Sequence, residues 1–455
     1  MIIPLSMIGL LAALCLALLA SPYPYLAPGA VVGLVGVAIL YRRPSWGVLG
    51  IVALVPFEGL MKDSSFSGAK FLGISLALIL SLQLLLRQLP ASRLRSNLWP
   101  LLLGFMTLYL LSLWTSDNVG LSVTHLRDLI VGLLLFVITL LVGREMNMIN
   151  FCRMATLSVT ITSAVAMFST QYQEQGRASA MLDPNALAML IAFAIPQALL
   201  LAQKSPNMLQ RLGWLACFAL LLGGMTKTES RSGLVVLLIS LAIGIYHYRA
   251  QLPRIRPRHL GFAMLGIAIV IPLAIYAMPA GYIKRIQSLS MLSSDTRGYT
   301  DESLGRRASY IVVGSKMIRE HPLLGTGPGT FPLHYAVTGY AKAFSSKGKE
   351  SDLYRRAHNT YLELFSELGI PAALLFVSML ALALRNILRA RSAWLQRRNW
   401  DQADLVTHLG VSLLSLSLFL MFLSAPNLKY LWIMLALSCV LRFKAEESPL
   451  PEPRP

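Results

Sequence analysis

Apolar runs separated by short polar joints recur along nearly the whole chain. Fourteen such segments stand near residues 2–20, 25–41, 46–61, 71–86, 98–114, 129–143, 154–169, 185–202, 212–226, 232–247, 260–278, 361–384, 405–424 and 428–441. Runs of about 15–20 apolar residues match the thickness of a bilayer's hydrocarbon core. The pattern predicts an all-α polytopic membrane protein. Some segments are short enough that a pair could be half-spanning or tilted, so the expectation is 12–14 transmembrane helices, with an even total. The opening run, "MIIPLSMIGLLAALCLALLA", lacks a basic start and leads directly into "SPYPYLAP" and more apolar sequence. It reads as a first membrane helix rather than a cleaved signal.

Composition strengthens this picture. Of the 455 residues, 55% are hydrophobic and 13% charged, about half the charge of a soluble domain. Cys15, Cys152, Cys217 and Cys439 lie scattered in apolar runs without CxxC spacing, as small buried hydrophobes do. The net charge of +19 would suit a nucleic-acid partner, but its placement argues otherwise. Loops after the even-numbered segments, together with the C-terminal tail, hold 21 Lys and Arg. The short loops between hold seven: Lys62, Lys70, Arg127, Arg177, Lys227, Arg231 and Lys429. By the positive-inside rule both termini are cytoplasmic, and the long segment 279–357 is outside. The basic loops then answer to topology and anionic lipid, and nucleic acid drops out as a partner.

The outside segment contains "SYIVVGSKMIREHPLLGTGPGTF" (309–331), where Ile311, Val312, Met317 and Ile318 alternate with Lys316, Arg319 and Glu320. This predicts an amphipathic helix opened by Arg306 and Arg307 and ending near His321–Pro322, then a tight "GTGPG" turn. Arginines at a helix start are out of place, because that end favours acids, so the pair invites an anionic partner. Residues 339–352 read as a polar, lid-like loop.

Charged groups next to outside helix ends are the candidates for chemistry. Arg231 is pinned in a very short outside turn, "TKTESRSG", and Arg177 precedes Asp183-Pro184-Asn185, a capping turn before the eighth segment. The sharpest feature is "RRAHN", in which Arg355 and Arg356 precede His358 and Asn359 at the entrance to an apolar run. Nearby cations disfavour imidazolium, so the ring stays neutral and able to accept a proton. Arginines are fork-shaped permanent donors suited to phosphate. No DxD pair, HExxH, GxSxG or P-loop occurs, and no ionisable residue stands mid-span with an obvious partner, which weakens an ion-coupled transporter. What remains fits metal-independent chemistry on a lipid-linked polyanion, with no cofactor.

Three stretches resemble the O-antigen ligase and Wzy-type polymerase superfamily. "AHNTYLELFSELGIPA" is similar to its His-Asn-x-x-Leu helix with a following glycine, here His358, Asn359, Leu362 and Gly369. "GRRASYIVVGSKMIREHPLLGTGPGTF" resembles its arginine-bearing helix and glycine turn, here Arg306, His321, Pro322, Gly325, Gly327, Gly329 and Phe331. "TESRSG" resembles its Ser-Arg-Ser/Thr turn at Arg231. "GRASAMLDPNALA" is a weaker fourth match around Arg177, Pro184 and Asn185, with Ala180 where the family more often has glycine.

The resemblance implies a GT-C type membrane glycosyltransferase with one long periplasmic loop carrying amphipathic helices, in a bacterial inner membrane. The division would be 1–278 an N-terminal transmembrane bundle, 279–357 a periplasmic loop region, 358–445 C-terminal transmembrane helices and 446–455 a cytoplasmic tail. The donor would be a glycan on undecaprenyl pyrophosphate. The acceptor would be lipid A–core oligosaccharide for a ligase, or a second lipid-linked repeat for a polymerase. Arg231 and Arg306 would neutralise the leaving pyrophosphate, with Arg177 as a weaker third. His358 would take or orient the acceptor proton. Arg307, Arg355, Arg356, Asn185 and Asn359 would bind substrate. The strongly basic balance favours the ligase, since its acceptor carries phosphates and acids. A flippase for the same lipid-linked glycans is the alternative of another class.

Overall fold

The computed structural model describes residues 26–58, 68–174, 176–180, 183–248, 302–345 and 353–449, with isolated positions between 13 and 20. Most of segment 2–20, all of 260–278, the loop residues 279–301 and 346–352, and the end of the tail lie outside the described residues. The other twelve segments each fall on a described helix: α1 (Leu26–Arg42), α2 (Pro44–Leu54), α3 (Gly68–Leu85), α4 (Trp99–Trp114), α5 (Val119–Val142), α6 (Met148–Phe168), α7 (Pro184–Gln203), α8 (Met208–Lys227), α9 (Arg231–Tyr248), α14 (Gly369–Gln396), α15 (Trp400–Phe419) and α16 (Lys429–Glu447). Between α9 and α14 stand α10 (Glu302–Glu320), α11 (Phe331–Ala336), α12 (Gly339–Ala343) and α13 (Thr360–Glu367). The chain is therefore an all-α polytopic membrane protein.

Eight described helices are long and apolar enough to cross a membrane, or nine if α1 and α2, bent by 118° at Arg43, form one broken span. Pro44 at the first turn of α2 explains the break, since its ring cannot continue the preceding helix. At the centre runs α7, 83% buried along its apolar window and packed on α6, α8, α9 and α15. By contrast α8 and α9 are 17% and 22% buried. A helix apolar all round but buried on one side only presents the rest to lipid.

Two boundaries differ from the sequence expectation. The apolar run 361–384 is two helices, α13 and α14, broken at Leu368–Gly369, where Gly369 takes φ +80°. A Cβ there would lie 2.3 Å from the Leu323 carbonyl oxygen, so only glycine allows the close approach. The amphipathic helix begins at Glu302, not at Arg306. The arginine pair therefore sits inside the helix rather than at its start.

The glycine turn is a docking device. Glu367, 7% exposed at the end of α13, accepts the backbone N–H groups of Gly329 (2.8 Å) and Phe331 (3.0 Å), and its carbonyl accepts Gly327 N–H (2.9 Å). At Gly329, φ +80°, an added Cβ would collide with the His125 ring of α5, so the turn approaches that ring closely. This locks the 302–345 region onto the bundle beside α13. A small buried cluster of Tyr310, Val313, Met317, Phe331, Tyr335, Ala341 and Ala357 completes the attachment.

Candidate active site

The site is assembled from four segments at one end of the bundle. The first is the start of α7. Asp183 caps it, its side chain accepting the Asn185 N–H at 2.6 Å, as the capping reading expects. The second is a short ribbon, β1 (Gln173–Glu174) paired with β2 (Arg177–Ala178). Its Arg177 Nε donates to the Thr228 carbonyl at 2.9 Å, which ties it to the turn before Arg231.

That turn is the third segment. Ser230 Oγ donates to Asn185 Oδ1 at 2.7 Å and accepts the Gly233 N–H at 3.1 Å, capping α9. Ser232 Oγ reaches the same Asn185 oxygen at 3.3 Å. The two serines around Arg231 thus bolt the turn to α7, leaving half-buried Arg231 as the first residue of α9. Asn185 holds the scaffold of the site through these bonds.

The fourth part is α10 with the 353–359 segment. The Tyr310 ring stands 4.9 Å from Tyr335 and 6.2 Å from His358, ring centre to ring centre. Arg355 lies within electrostatic reach of the Tyr310 hydroxyl. Arg356 Nη2 meets Glu363 at 2.8 Å. Asn359 caps α13, its side chain accepting the Leu362 N–H at 3.1 Å.

Electrostatics links these parts. Burial lowers the pKa of Arg307, and Arg231 and Arg306 add to the effect, opposed by Asp183 and Tyr310. Burial also lowers the pKa of His358, with Arg307 and Arg356 pushing the same way and Asp183 and Glu363 opposing. A half-buried imidazole under this balance is neutral near pH 7. Arg307 thus stands within electrostatic reach of Arg231, Arg306 and His358, and Asp183 acts on both Arg307 and His358.

Backbone conformation marks the same place. Five described non-glycine residues have positive φ: Arg87, Ala180, Glu229, His358 and Arg398. Arg87 and Arg398 follow α3 and α14, where left-handed residues commonly end helices. The other three lie in the loops that build the site: Ala180 (φ +52°), Glu229 (φ +50°) and His358 (φ +48°). Such residues cost of order 1–3 kcal/mol each and cluster at functional sites. The Ala180 backbone is one that glycine would adopt without strain.

Sequence reasoning overlooked Glu363, Tyr310 and the electrostatic reach of Asp183. An acid in the first turn of an otherwise apolar helix was the available signal for Glu363. Arg356, beyond its ion pair, also lines a small pocket with Tyr109, His125 and Glu367.

Fold and site together define a multi-pass membrane protein with a basic, histidine-bearing site at one end of its helices. Residues 216–377 match the O-antigen ligase family model, and this segment of the chain carries that family's domain. The match contains Arg231, Arg306, Arg307, Arg355, Arg356, His358 and Asn359, while Arg177 and Asn185 fall before it. No curated protein matches the chain. The domain supports a function of the O-antigen ligase or polymerase type in lipopolysaccharide biosynthesis, and with it a membrane glycosyltransferase-like ligase.

Proposed function

We propose that the protein is an O-antigen ligase that moves a glycan from undecaprenyl pyrophosphate to lipid A–core oligosaccharide at the periplasmic face of a bacterial inner membrane. The observation that carries the reading is Arg307, which lies within electrostatic reach of Arg231 and Arg306 on one side and of His358 on the other. The acceptor hydroxyl oxygen attacks the anomeric carbon, its proton passes to His358, and the carbon–oxygen bond to pyrophosphate breaks. The leaving group departs with the bonding pair, so negative charge grows where the guanidinium groups lie. Preorganised donors in a partly desolvated site lower such a barrier. One in-line displacement inverts the anomeric centre.

The arginines take the part that a divalent ion plays elsewhere, so transfer should need no metal. Purified protein given undecaprenyl-pyrophosphate glycan and lipid A–core should form glycan-capped lipid A–core at an unchanged rate in a strong chelator. Loss of activity on chelation and its return with magnesium would remove the arginines from this role. Elongation of the lipid-linked glycan, with nothing added to lipid A–core, would identify a polymerase. Transport without chemistry would favour the flippase.

Orientation follows from the distribution of Lys and Arg. With both termini cytoplasmic, the Arg231 end of α9 and the whole 302–345 region face the periplasm. A cysteine placed at Ser345 should then react with an impermeant thiol reagent added to the periplasmic side. Labelling confined to inverted vesicles would reverse the orientation and the site with it.

A further inference from the structure

Glu363 is 1% exposed and holds three donors. Its Oε2 accepts Arg356 Nη2 at 2.8 Å, and its Oε1 accepts the Ala357 N–H at 2.9 Å and Ser424 Oγ at 2.5 Å. Two of these belong to the residues directly before His358. The third belongs to the loop between α15 and α16, which also grips the start of α13: Thr360 Oγ1 donates to the Leu423 carbonyl at 2.6 Å and accepts the Ala425 N–H at 2.9 Å. On the other side of His358, Asn359 is fixed as the α13 cap. One carboxylate therefore fastens 356–357 to both α13 and the α15–α16 loop.

Between those anchors His358 keeps its left-handed backbone, φ +48°. A residue held there persists only where its surroundings over-determine it. The hydrogen bonds of Glu363 and Asn359 supply that determination. We infer that Glu363 is a positioning residue: it sets the backbone that presents His358 to the site, and it holds Arg356 within the fold as its ion-pair partner. This deepens the proposed reading, since it rests on His358 taking the acceptor proton.

The groups facing His358 are Asp183 at the head of α7, Arg307 and Tyr310 on α10, Arg356 beside it and Glu363 on α13. Glu363 both acts on the ring electrostatically and bonds the chain that carries it. Its negative charge favours imidazolium, while Arg356 disfavours it. Removing the two charges should therefore move the histidine titration in opposite directions.

The test uses the full chain in lipid nanodiscs, with two readouts. One is kcat and KM for glycan transfer across pH. The other is the NMR titration of carbon-13-labelled histidine, with the His358 signal assigned by its loss in His358→Gln. Glu363→Gln keeps an oxygen for the Ala357 N–H but loses the charge. It should lower kcat by about tenfold with little change in KM, as a small misplacement of a reacting group does, and move the His358 titration to lower pH. Arg356→Gln should move it to higher pH. Ser424→Ala, which loosens the same carboxylate without changing charge, should lower kcat by a smaller factor and leave the titration in place. Should Glu363→Gln not fold, the latter two variants carry the test. Wild-type kcat with a wild-type titration in the charge variants overturns the inference. If the unmodified protein transfers no glycan, the functional reading fails, and the titration alone still decides whether Glu363 acts on His358.

Discussion

Replacing His358 with alanine should leave a folded protein that transfers glycan at about a hundredth of the normal rate or less, the range expected when a general base is removed. The side chain is half-buried among Tyr310, Arg307 and Asp183 rather than in the main apolar core, so its loss opens little core volume. The alanine also inherits a φ of +48°, at a cost of order 1–3 kcal/mol. His358→Asn, which tolerates that backbone, separates strain from lost chemistry: it should be as inactive as alanine yet closer to wild type in thermal stability. The pH profile provides a second check. Catalysis needs neutral imidazole, and burial holds the His358 pKa below its ordinary value. The rate should therefore hold as pH falls through the usual histidine range and drop only below it. An acid limb at or above pH 7 would contradict the neutral-base assignment, and full transfer by His358→Ala would remove His358 from the chemistry altogether.

The fold was legible wherever one physical rule acted alone. Hydrophobic length located twelve helices because a bilayer core dictates run length regardless of tertiary packing. It failed at Leu368–Gly369, because α13 and α14 are both apolar and their junction is set by the approach of the Leu323 carbonyl to Gly369, a contact between distant residues. The start of α10 was misplaced because Glu302 and Ser303 carry no apolar signal ahead of the amphipathic stripe. At the site, Arg231 stood out as a cation in a short outside turn, Arg306 as an arginine expected at a helix start, and His358 for the two arginines before it at the entrance to an apolar run. Asp183 was read as a cap, which it is. Its second part, acting on Arg307 and His358, depends on residues far apart in the chain coming within electrostatic reach and leaves no local trace. Glu363 did leave a local trace, an acid in the first turn of an apolar helix, but its tie to Ser424, far along the chain, did not.

Arg231 should prove as costly to lose as His358, for a different physical reason. Its turn is built before any substrate arrives: two serine hydroxyls bond the Asn185 oxygen, Arg177 bonds the Thr228 carbonyl, and Glu229 takes φ +50°. Such a frame fixes where the guanidinium starts and so spares the cost of ordering it when charge develops on the pyrophosphate. Arg231→Ala should lower kcat by about a hundredfold to a thousandfold, the range seen when one preorganised donor to a developing anion is removed. Arg231→Lys keeps the charge and loses the fork, and should recover only part of the rate. If the arginine acts mainly as the barrier is crossed, the loss falls on kcat and KM for the donor changes little. A rise in KM alone would instead make Arg231 a docking group for the ground-state pyrophosphate. Asn185→Ala should then show the frame acting through the arginine: it contributes no charge, yet it releases both serines, so kcat should fall in the same sense by a smaller factor. If Asn185→Ala is neutral while Arg231→Ala is not, the guanidinium is placed by the substrate rather than by the turn, and the site is organised on binding instead of in advance.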